Sequence, residues 1–243
     1  MWEYADKLKR HFRFSKGEVQ FLLIGSIVLG FIFALRKWQN ATIGDFILGV
    51  IIVLVSLTVH LTGQKLLGIK LGLGVEYKMW WNGLAISLVA SIISRGRIWW
   101  LLLPGGIIFS LMARERLGRF RYGLNYWPLG WIGFTGPIFS IILGTIFKNI
   151  EIYIVNEPVP LFQSIFIFNL ALAVCTMLPI PPLDGHYMFF GSRPWFVILF
   201  GTIFAYALLV ALDFYSWMFA IIAGLIIWLV YYFKFEKEAW GGG

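Results

Sequence analysis

The sequence predicts an all-α, polytopic membrane protein with about six to eight transmembrane helices and a proline-broken segment at a Leu-Asp-Gly motif. Three observations carry that expectation. The 243 residues are 60% hydrophobic and only 13% charged, with a mean hydropathy of +0.82, whereas soluble domains carry roughly a quarter charged residues. Apolar runs recur at or near the length of about 20 residues that a bilayer core requires. These runs are continuously apolar rather than alternating over about ten residues, which favours helices over a barrel.

In chain order, residues 1–18 come first. "MWEYADKLKRHFRFSKGE" puts Trp2, Ala5, Leu8 and Phe12 at helical spacing among basic residues. That pattern suits a short amphipathic helix on the cytoplasmic face or an ordinary charged tail, and it does not read as a secretory signal. From 19 to 235 a single membrane domain is expected, with apolar runs at 19–35, 45–64, 79–94, 98–113, 127–147, 160–178, 194–212 and 214–233. The third and fourth are short. Trp80, Trp81, Trp99 and Trp100 fall at span ends, where amphipathic rings anchor; a cation-binding aromatic cage is the alternative. The polar break at 113–127 should be a loop or surface helix, and 148–160 a second loop. Residues 236–243, ending WGGG, read as a flexible tail.

Charge placement sets an expected topology. With eight crossings, five basic residues (Arg36, Lys37, Arg95, Arg97 and Lys148) fall outside, and the other fifteen of the 20 fall inside. This bias puts both termini in the cytoplasm of an integral cell-membrane protein. The net charge of +8 therefore reads as topology and contact with the lipid bilayer. No nucleic-acid partner is expected, since no reader motif accompanies it. The single cysteine, Cys175, excludes an intrachain disulfide and a cysteine-built metal cage.

Three polar features interrupt the apolar runs. "GFTGPIFSIILG" (133–144) carries Gly136 and Pro137; proline kinks a helix and glycine permits close backbone approach. "NLALAVCTMLPIPPLDGHYMFF" (169–190) places Pro179, Pro181 and Pro182 within four residues, which cannot continue a helix. Non-helical backbone at membrane depth must be buried in protein or line a watery cavity, and Asp184 follows it. A solvated turn at Asp184-Gly185 is the plainer reading. "HLTGQ" (60–64) puts His60 and Gln64 on one helical face. A zinc protease needs two histidines at this spacing and a glutamate after the first; here Leu61 stands at the glutamate position and Gln64 at the second histidine.

These pieces in this order resemble the site-2 protease family of intramembrane zinc metalloproteases, archaeal-type members above all. "PIPPLDG" (179–185), "TGPIFS" (135–140) and the stretch 72–92 around Glu76-Tyr77 and Trp80 extend the likeness over about 45–190. The resemblance implies zinc ligands at His60 and Asp184, with the catalytic base replaced by Leu61, the second histidine by Gln64, and a substrate-positioning asparagine by Thr176. His186, two residues past Asp184, is the remaining candidate ligand. An alternative register places His60 at the second histidine, with Ser56 and Leu57 before it. Both registers lack the glutamate.

Catalytic zinc takes three strong protein ligands and a water, and general-base assistance contributes about 10²–10⁴-fold. The expectation is a catalytically inactive site-2-protease-like protein, a pseudoprotease, that serves as a binding or scaffold subunit for another integral membrane protein or larger complex. No catalytic residue and no cofactor are expected; zinc is the cofactor the resemblance leaves open. The enzyme alternative is a divergent metalloprotease using His60, Asp184 and His186. A transporter-like or lipid-binding protein is a third class. In every case His60 and Asp184 should lie within hydrogen-bonded or water-bridged reach, because each is costly alone in apolar surroundings.

Overall fold

The computed structural model describes residues 2–111 and 125–236. Most of the expected polar break at 113–127 and nearly all of the expected tail lie outside the described residues.

Helix α1 (Trp2–His11) is followed by α2 (Lys16–Ala34), α3 (Ile43–Leu71), strand β1 (Leu73–Met79), α4 (Trp81–Ile93), β2 (Gly105–Leu111), α5 (Tyr126–Ile150), α6 (Pro160–Thr176), α7 (Asp184–Gly191), α8 (Arg193–Ala211) and α9 (Trp217–Tyr231). Among the described residues five helices, α2, α3, α5, α8 and α9 with their short extensions, are long and apolar enough to cross a membrane; α4 and α6 are shorter apolar helices. The chain is therefore a helical membrane protein. Local chemistry sets the helix ends. Ser15 with Glu18 and Thr42 with Asp45 form reciprocal capping boxes at the starts of α2 and α3, each satisfying two orphan amides. Gly72, at φ +83°, ends α3 in the left-handed conformation that only glycine adopts cheaply.

Two of the expected spans differ. The run at 79–94 contains only the 13-residue α4, and 98–113 is not a helix. Its Pro104-Gly105-Gly106 sequence breaks helical geometry, and the chain becomes β2, antiparallel to β1 with Tyr77 opposite Ile107 and Met79 opposite Gly105. Gly105 sits at φ +143°, and a Cβ on Gly106 would collide with the Pro182 carbonyl. The approach to β2 is non-helical yet buried at Leu102 and Leu103, and side chains take up its polar groups. The Leu103 amide donates to Ser87 Oγ at 3.1 Å, the Leu102 amide meets Cys175 Sγ at 3.4 Å, and the Cys175 thiol donates to Trp100 O at 3.2 Å. This is how irregular backbone survives among apolar spans. At the far end of α4, Gly96 packs on the Leu35 carbonyl. The chain thus runs from β1 to the C-terminal end of α2 and back.

The core joins α2, α3, α5, α6 and the hairpin around Leu29, Ile32, Leu57, Leu61, Leu102, Ile132, Phe168 and Leu172. Helices α2 and α3 touch almost backbone to backbone, since a Cβ at Gly30 would meet the Val50 backbone and one at Gly49 the Gly30 carbonyl, a small-residue contact typical of membrane helices. Lys65 is not the exposed topological charge the sequence suggests. It is buried, ion-paired with Glu18 at 2.8 Å, and donates to the Arg13 and Val75 carbonyls. Glu18 also accepts from the Tyr77 amide at 2.9 Å. One ion pair therefore fastens the start of α2, the end of α3 and β1.

Candidate functional site

The site forms where α3, α5 and α7 meet. His60 and Gln64 project from one face of α3, one turn apart, and both are buried. Helix α5 comes close because its facing residues are small. A Cβ on Gly136 would overlap His60 Nε2, one on Gly133 would press on the Asp184 carbonyl, and one on Gly130 would press on Met188. Pro137 adds a second effect. It has no N–H, so the carbonyl of Gly133, four residues earlier, loses its helical donor. Gln64 Nε2 donates to that carbonyl at 3.4 Å. The Gly-Pro pair thus creates both the space for the imidazole and an acceptor for the amide.

Asp184 opens α7, where the helix dipole favours a carboxylate. Gly185 must be glycine because a Cβ there would strike the Met177 carbonyl. The prolines before it deliver the chain to this point: Pro179, Pro181 and Pro182 exclude helix between α6 and α7, and the Leu183 amide closes a turn onto the Ile180 carbonyl at 2.8 Å. Asp184 is 2% exposed, so the motif is no solvated turn tip.

Its Oδ2 lies 2.8 Å from His60 Nε2, and His60 Nδ1 lies 2.9 Å from Ser140 Oγ. The expected closeness of His60 and Asp184 is therefore met by direct hydrogen bonding. Ser140 was not singled out in the sequence, although it follows Gly136 by four residues and so shares its helical face. The row Ser140–His60–Asp184 has the order of a hydrolase relay, but Ser140 is fully buried and is absent from the walls of the cavity beside the pair. Its hydroxyl contact to Nδ1 orients the ring.

That cavity is small, about 10 Å³, and is lined by His60, Leu61, Gln64, Tyr77, Thr176 and Asp184 with Leu57 and the 104–107 stretch. It matches roughly one water molecule. Asp184 Oδ1 and Gln64 Oε1 are buried acceptors without a protein donor, the kind of groups such a water satisfies. Tyr77 donates its hydroxyl to Pro104 O at 2.9 Å, and burial pushes its phenol well above the ordinary range. Thr176 donates its hydroxyl to the Leu172 carbonyl of its own helix at 2.8 Å, leaving no donor there for a backbone carbonyl. Leu61 is 1% exposed and belongs to the apolar core.

His186 does not join the group. Its Nδ1 bonds the Leu183 carbonyl at 2.6 Å and its ring lies on Tyr187, with centroids 3.8 Å apart. Among the described residues no three His, Cys, Asp or Glu side chains gather as a metal would need. The donor set fits catalytic zinc poorly. Two strong ligands are present where three are usual, they are bonded to each other, and the Gln64 amide is oriented by its bond to Gly133 with nitrogen toward His60 at 3.4 Å. Gln64 adjoins the Asp-bound nitrogen of His60, whereas Ser56 accepts from Asn169 Nδ2 at 2.9 Å.

No protein-family model matches the chain, and no solved structure matches it. It is similar to a protein of Methanocaldococcus jannaschii named "Putative zinc metalloprotease MJ0611", with 28% identity over 181 residues that cover 72% of this chain and 84% of the relative.

Proposed function

We propose that this chain is a site-2-protease-like membrane protein that has lost hydrolysis and serves as a binding or scaffold subunit for another integral membrane protein. The observation that carries the reading is the closed state of the site. His60 and Asp184 satisfy each other, Leu61 is packed into the core where the base would stand, and the Gln64 amide bonds the Gly133 carbonyl. The similarity to a relative named as a zinc metalloprotease supports the scaffold's ancestry, and the preserved Gly-Pro and Leu-Asp-Gly geometry supports its retention. Both termini lie in the cytoplasm in this reading, on the uneven placement of the basic residues along the chain. The divergent-metalloprotease alternative needs His186 turned toward His60, and its bond to Leu183 argues against that.

The test is a cleavage assay with the purified full-length protein and a panel of single-span membrane peptides at neutral pH with added zinc. No specific cleavage is expected, while pull-down from native membrane should retain a defined membrane protein. Sequence-dependent cleavage that disappears in His60→Ala would overturn the proposal.

A further inference from the structure

At the end of the molecule opposite the Lys65–Glu18 lock, the turn after α2 and the turn after α4 enclose an open cleft of about 680 Å³. Its walls are Lys37, Trp38, Gln39, Asn40, Arg95 and Arg97: three cations, two amides and an indole, without a carboxylate. Four of the five basic residues that the topology expectation places on the unfavoured side of the membrane, Arg36, Lys37, Arg95 and Arg97, gather in or beside this cleft. Such placement runs against the usual bias and calls for a compensating anion.

Among the described residues, side-chain partners engage two of them. Arg36 turns inward, its Nη2 donating to Ser164 Oγ at 2.7 Å and its guanidinium lying 4.3 Å from the Phe33 ring centroid. Lys37 pairs with Asp45 at 2.6 Å. Among the described residues no ion pair engages Arg95 or Arg97. The backbone commits to presenting them: Arg95 is held at φ +53° and Gly96 at +77°, a reversal fixed by the Gly96 amide's bond to Ser91 O at 2.7 Å and by the packing of Gly96 on Leu35. A non-glycine residue in the left-handed region carries a strain cost and points to a placed side chain. Trp38, 40% exposed, adds the amphipathic ring that settles at headgroup depth.

We propose that this cleft binds the phosphate of an anionic membrane lipid, with Arg95 and Arg97 as a guanidinium clamp, Gln39 and Asn40 as neutral donors, and Trp38 against the glycerol and upper acyl region. Arginine suits the role because its planar fork meets phosphate oxygens two at a time. The position at helix ends matches a headgroup and not a buried substrate. This site is independent of the His60–Asp184 pair and stands or falls separately from it.

Full-length protein in neutral phosphatidylcholine nanodiscs is titrated with phosphatidylglycerol, and bound lipid is counted by native mass spectrometry; inorganic phosphate forms a parallel arm. Wild type should retain phosphatidylglycerol over phosphatidylcholine, and the double variant Arg95→Gln/Arg97→Gln should retain it about 25-fold less, since each basic group at an anionic surface contributes roughly a fivefold preference. Gln39→Glu removes no contact from the fold but adds a negative charge to the cleft, and it should lose the preference as well. No preference in wild type, or a preference that survives both variants, overturns the proposal. Competition by millimolar inorganic phosphate, abolished by the same variants, overturns the lipid source and assigns the cleft to free phosphate.

Discussion

At His60 and Asp184 two groups that are expensive in apolar surroundings make each other affordable, and the cost of either alone is the sharpest residue-level consequence. Removing one partner leaves the other buried and unpaired, which costs about 1–3 kcal/mol or more for a charged group. Asp184→Leu and His60→Leu should each destabilise by that amount, while the double variant should recover much of the loss. Unfolding equilibria in detergent check this as a double-mutant cycle; additive losses would mean the 2.8 Å contact contributes no coupling. The pairing was legible from sequence because two polar side chains in long apolar runs need partners. Ser140 was harder to see: a serine in a membrane helix usually bonds its own backbone, and its role emerges only once Gly136 brings α5 against the imidazole. His186 shows the reverse. Its proximity in sequence to Asp184 suggested a ligand, but two positions on along a helix the ring points elsewhere and finds Leu183 O.

At the scale of elements, apolar length identified the spans but did not specify their type. The 98–113 stretch is as apolar as its neighbours, and periodicity alone does not separate a buried strand from a buried helix. Pro104-Gly105-Gly106 was the signal, and its consequence is the hairpin that walls the site through Tyr77 and Ile107. Tyr187 ties the hairpin to α7 by donating to Ile107 O at 2.8 Å, so β2 and the Asp184 segment form one assembly. The Lys65–Glu18 pair anchors the opposite strand. Because both side chains are at most 6% exposed, Lys65→Met should cost about 3–5 kcal/mol by leaving Glu18 without its cation. Urea-dependent unfolding in mild detergent measures it. A loss below about 1 kcal/mol, the value of a surface pair, would show that Glu18 is held by the Ser15 and Tyr77 amides alone.

For the whole molecule, similarity to a relative named as a zinc metalloprotease is joined to a closed interior. Helices α3, α5 and α7 converge, the His60–Asp184 pair they bring together is hydrogen-bonded at 2.8 Å, and the adjoining space has room for about one water. The direct test is the zinc content of full-length protein purified at neutral pH without chelators, measured for wild type and for Gln64→His. Wild type should carry far less than one zinc per chain, and Gln64→His, by supplying a third strong ligand beside His60 and Asp184, should move toward one. One zinc per wild-type chain, lost on His60→Ala, would contradict a closed and metal-free site.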